Sequence, residues 1–96
     1  MLEQEYVEHL IKTANNIAIT EKEYLKEKRN LEYLKAEYVL LNDWESIIGK
    51  KKPTVSEKEA YITRELDEQI RKVDDLKLQV DYCRRMFEIN LMAYKE

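Results

Sequence analysis

Ninety-six residues allow one domain, and a chain that is 39% charged with one Gly and one Pro suits long solvated helices. A net charge of -3 excludes a strongly basic DNA-coating protein and a heavily acidic DNA mimic, while leaving room for a local basic patch. A single cysteine excludes an internal disulfide framework and fits a reducing compartment. No run reaches the roughly 18 apolar residues of a membrane span, and the start Met-Leu-Glu-Gln-Glu lacks a signal-peptide pattern. The expectation is a cytoplasmic protein with no membrane partner.

The first predicted element is a helix over about residues 4–48, a stretch without Gly or Pro that could reach about 65 Å. Its weakest point is Thr13-Ala14-Asn15-Asn16, where helix propensity is poor. A turn follows over about 49–55. Gly49 sits where a left-handed residue closes a helix, and Pro53 blocks continuation. The second helix is expected over about 56–95, opened by Ser56 as N-cap, Glu59 completing a capping box, and Val55 with Ala60 as a hydrophobic staple.

Two heptad ladders set the pairing. Leu10, Ile17, Tyr24, Leu31 and Tyr38 form the first; Leu66, Val73, Val80, Phe87 and Tyr94 form the second. They mirror each other about Lys52, so an antiparallel return sets Leu10 against Tyr94, Ile17 against Phe87, Tyr24 against Val80, Leu31 against Val73 and Tyr38 against Leu66. Val7, Ala14, Leu34, Leu41 and Ile48 are expected to widen the first row, and Ile62, Ile70, Leu76, Cys83 and Leu91 the second, with Glu21 and Lys28 at the edge. The fold class is all-α: a long antiparallel two-helix hairpin, residues 1–96 as one coiled-coil domain, assembled into an oligomeric helical bundle.

Assembly is expected because a two-helix hairpin covers only one stripe of each helix. Met86, Ile89 and Met92 lie off the second ladder, and Ile11, Ile19 and Leu25 off the first. Segment 83–94 is apolar almost all round, as in helices buried on several sides. Met86, Ile89, Met92, Ile11 and Ile19 are therefore the candidate homo-oligomer interface.

Charges and aromatics carry alternative readings. Lys50-Lys51-Lys52 is the densest basic cluster; it is either a phosphate-binding tip or a solvated turn complementing a helix C-terminus. Lys22, Lys26 and Arg29 share a face, and the mirror register sets Lys22 opposite Asp81 and Arg29 opposite Asp74 and Asp75. Charge pairing that sets the register is one reading; cations facing nucleic acid are the other. Of the seven tyrosines, Tyr24, Tyr38 and Tyr94 fall on the ladders and read as core. Tyr33, Tyr61 and Trp44 lie off them near the basic turn, as candidates for packing or for stacking on bases.

His9 is the only histidine and has no ligand partner at metal spacing. Cys83 reads as a small core residue. With one glycine there is no Gly-rich phosphate loop. The expectation is no enzymatic activity, no catalytic residue, no metal and no cofactor.

The stretch Glu32-Tyr33-Leu34-Lys35-Ala36-Glu37-Tyr38 leading to a Gly-containing basic turn, then Ser56-Glu57-Lys58 opening a long helix that ends in Asp81-Tyr82-Cys83 and apolar residues, resembles the phage recombination-mediator family of the T4 UvsY type. The likeness spans roughly residues 25–94. It implies a phage-type recombination or replication accessory that oligomerises in the host cytoplasm, binds single-stranded DNA and helps a recombinase displace single-strand-binding protein. By position it implies nucleic-acid contacts from Lys35, Lys50, Lys51 and Lys52. The turn here is rich in Lys and has no Arg, unlike that family's pattern. The small secreted WXG hairpins have similar length, but Trp44 is followed by Glu45-Ser46 rather than by x-Gly. The alternative of a different class is a structural or adaptor coiled coil that mediates protein assembly without nucleic acid.

Overall fold

The computed structural model describes residues 3–41 and 43–95, leaving aside the side chains of residues 94 and 95. Four helices follow in order: α1 (Glu3–Val39), α2 (Trp44–Ile48), α3 (Val55–Glu65) and α4 (Asp67–Lys95). No strand occurs among the described residues, so the fold is all-α. Two compact units divide the chain: Met1–Lys26 with Asp74–Glu96, and Glu27–Val73. Both α1 and α4 contribute to each.

In the first unit, α1 packs antiparallel on α4. Glu21 accepts from Arg84 and the His9 ring meets the Asn90 amide at 3.1 Å, so residue numbers fall on one helix as they rise on the other. Tyr24 and Val80 line one cleft, in the expected mirror pairing. In the second unit Leu31, Leu66 and Val73 are buried, and the Tyr38 and Tyr61 rings lie 6.2 Å apart. The rung of Leu10 with Tyr94 lies outside the described residues.

The second row of the seam differs from the expectation. Leu34 and Ile48 are half-buried as expected, but Val7, Ala14 and Leu41 are exposed, and Tyr6, Thr13, Thr20 and Glu27 turn inward. A heptad ladder can be widened by residues three before it or three after it, and the spacing alone does not choose. From Tyr6 to Leu34 the structure uses the row three after, which brings two threonines and a glutamate into the interface. Its partners on the returning helix include Gln69, Cys83 and Asn90, all half-buried. This seam is thus semi-polar. Among the described residues no side chain is wholly buried, and the deepest core residue, Val80, keeps 3% exposure.

The single helix expected over 4–48 is interrupted. α1 ends at Val39, where Leu40 N–H still reaches Ala36 O but Leu41 N–H donates to Tyr38 O at 3.1 Å, a tighter three-residue turn. Asp43 then starts α2, with Ile47 N–H on its carbonyl at 3.1 Å. The break turns Trp44 inward. It keeps only 6% exposure, and burying so large a side chain offsets the lost helical hydrogen bonds. Gly49 closes α2 as expected, at φ 82 with its N–H on Glu45 O at 2.8 Å. That left-handed conformation costs a residue with a Cβ more than glycine.

The N-cap of the second arm is Thr54, not Ser56. Thr54 is extended after Pro53, its hydroxyl accepts from Glu57 N–H at 3.2 Å, and Glu57 Oε1 accepts from Thr54 N–H at 3.4 Å. The cap thus lies two residues earlier than expected, and Ser56 falls within the first turn of the helix. The Val55–Ala60 staple does not form, since both residues are exposed. At Leu66 the helix loosens for one residue, but Leu66 N–H to Ile62 O and Ile70 N–H to Leu66 O, each 2.9 Å, carry the ladder across into α4.

Candidate functional site

Two features of the surface stand out, one in each unit. The first unit exposes apolar side chains along both helices. Ile19 keeps 67% of its surface in solvent and Ile89 51%. Ile11, Leu25 and Met92 are exposed with them, as the sequence suggested. Met86 is the exception: it is half-buried, beside His9, Thr13, Asn16, Cys83 and Asn90 in an open cleft of about 220 Å³. Leu78 and Tyr82, not singled out from sequence, are also exposed.

Ile19 and Met86 apart, these residues are not scattered. Val7, Ile11, Ala14, Ala18 and Leu25 follow alternating steps of four and three, as do Leu78, Tyr82, Ile89 and Met92, with Glu21 and Arg85 filling the missing steps. Each helix of this unit therefore carries a second coiled-coil stripe beside the seam it already uses. The same heptad counting that found the first ladders finds these once the first are set aside.

The second unit carries the basic turn. Lys50 is engaged: its ammonium lies 3.1 and 3.2 Å from the two oxygens of Glu57. That hydrogen bond holds the Glu57 carboxyl below its usual range, with Thr54 adding to the effect and partial burial opposing it. Lys51, Lys52 and Lys35 are exposed. Lys58 stands 5.7 Å from the centre of the Trp44 ring and Arg64 5.6 Å from that of Tyr61.

Those aromatics are mostly occupied. Trp44 and Tyr61 meet edge to face at 5.7 Å and 84°. Of the three stacking candidates only Tyr33 is exposed; its phenol is pushed up by a hydrogen bond with Glu37. Beside them Ile47, Ile48, Ala60, Tyr61, Glu57 and Arg64 line an open cleft of about 440 Å³.

Two ion pairs joining facing helices differ from those expected. The mirror register sets Lys22 opposite Asp81, whereas the first unit pairs Glu21 with Arg84. The second unit pairs Glu27 with Lys72 at 3.2 Å. In these two pairs the acid lies on α1 and the base on α4, the reverse of the expected polarity. The cause is the inward row: it carries Glu27 to the interface, and Glu21 to its edge.

Among the described residues no group of three His, Cys, Asp or Glu side chains is arranged to hold a metal, and no helix is long and apolar enough to cross a membrane. No family model, curated protein or solved structure matches the chain.

Proposed function

We propose that this chain is a non-enzymatic assembly protein whose helical hairpin associates with further copies through the first unit. The observation that carries the reading is the second apolar stripe on each helix of that unit, exposed beside a seam that is itself semi-polar. Such a pair of helices buries too little apolar surface to be self-sufficient, and coherent apolar patches mark interaction surfaces. Replacing the exposed Ile89 and Met92 together with Glu puts unpaired charge into that interface. The variant is expected to sediment as a smaller species than the wild type while keeping its helical circular dichroism. An unchanged mass would remove the α4 stripe from the interface, and a wild type that is itself monomeric would remove the reading.

A second reading adds single-stranded DNA at the turn, where an assembled protein would present several copies of one basic cluster. It is supported by Lys51 and Lys52 standing exposed while their neighbour Lys50 is tied to Glu57. On this reading the protein is a recombination mediator, and its further partners are a recombinase and a single-strand-binding protein. The adaptor reading needs none of these.

A further inference from the structure

We infer that α1 of the first unit pairs antiparallel with the same helix of a second copy, about a twofold axis beside Asn15. The inference rests on the assembly reading and commits it to one occupant and one register.

The stripe itself sets the register. Val7, Ile11, Ala14, Ala18 and Leu25 are all exposed and keep coiled-coil spacing. Run against its own copy, the stripe brings Ala14 onto Ala18 at the centre, with Val7 onto Leu25 at the ends. Small central residues let the two helices approach closely, since the interaxial distance follows the size of the contact side chains. Glu21 occupies the remaining step opposite Ile11. Its carboxylate is already bonded to Arg84, so it enters the contact paired.

The flanking charges agree with this register. Beside the stripe run Glu8, Asn15 and Lys22, all exposed. Antiparallel pairing sets Glu8 of one copy against Lys22 of the other, twice by symmetry, and Asn15 against its own counterpart. The stripe on α4 makes the opposite case. Asp74, Asp81 and Glu88 run beside Leu78, Tyr82 and Ile89, so an antiparallel α4 pair would oppose acid to acid. Charge complementarity therefore selects α1 as the twofold face.

Charge reversal tests the register without touching the apolar stripe. Glu8→Lys and Lys22→Glu each turn two cross-copy attractions into two repulsions, and each is expected to weaken the dimer about tenfold at low salt. The double variant E8K/K22E restores the pairs and is expected to return to wild-type affinity. High salt should bring all four proteins together. All positions are exposed helix surface, so circular dichroism should match the wild type. Single variants as tight as wild type, or a double variant no tighter than the singles, overturn the twofold register. If those charge variants stay assembled while I89E/M92E dissociates, the assembly reading stands and the register alone falls. A monomeric wild type removes both.

Discussion

Gln69 donates its side-chain amide to the carboxylate of Glu27 at 2.9 Å, and Glu27 keeps only 8% of its surface exposed. The same amide lies 3.4 Å from the Glu27 carbonyl, and Lys72 reaches the other carboxylate oxygen at 3.2 Å. Gln69 and Lys72 on the returning helix thus help hold a charged residue inside the seam. Sliding that helix by a heptad would keep apolar rungs on apolar rungs but would strand this carboxylate. The layer therefore specifies register more than it adds stability.

Removing one side of the pair should expose its cost. Gln69→Leu leaves the buried carboxylate short of a donor and is expected to destabilise the fold by about 2 kcal/mol in urea unfolding. The double variant E27L/Q69L, with an apolar layer, should recover most of that loss. A Gln69→Leu variant as stable as wild type would mean that solvent, not Gln69, satisfies Glu27.

How far the sequence could be read follows from these residues. The ladder of Leu31, Val73 and Val80 was legible because a heptad repeat of apolar residues has one physical interpretation. Glu27 was not, because a charged residue inside a helical pattern reads as solvent-facing unless its partners, 42 and 45 residues on at Gln69 and Lys72, are known. The cap was ambiguous by chemistry: Thr54 with Glu57 and Ser56 with Glu59 have the same spacing, and the spacing does not choose between them. The break after Val39 carries no Gly or Pro. It exists because Trp44 gains a buried site, a tertiary cause that local propensity does not encode. Lys50 was grouped with its neighbours by composition, whereas the turn's path assigns it to Glu57.

The cap makes a prediction with a pH dependence. Thr54→Ala removes the acceptor for Glu57 N–H and should cost about 1 kcal/mol. The folded-state pKa of Glu57 is lowered, first by Lys50. Its carboxylate therefore contributes stability above the ordinary carboxylate range, and that contribution is lost as pH falls through the folded value. Glu57→Gln should remove this part of the acid sensitivity. Thermal unfolding of the two proteins across the acidic range checks it; parallel curves would show that the Lys50 pair does not reach the folding equilibrium.

At the turn, the three lysines should separate into two roles. Lys50→Ala loosens the closure around Glu57. K51A/K52A leaves that closure intact, and on the nucleic-acid reading it weakens binding to an unstructured single strand and flattens the salt dependence. Fluorescence anisotropy in a salt series measures both. Equal binding by wild type and K51A/K52A at every salt concentration favours the adaptor without nucleic acid.

The central claim is that the first unit's apolar stripes are covered by further copies of the chain. Sedimentation equilibrium of the wild-type protein at micromolar concentration tests it most directly. The account predicts a mass that is a multiple of the 11.6 kDa chain and that falls on dilution. A single species at the chain mass, unchanged across the concentration series, would contradict it.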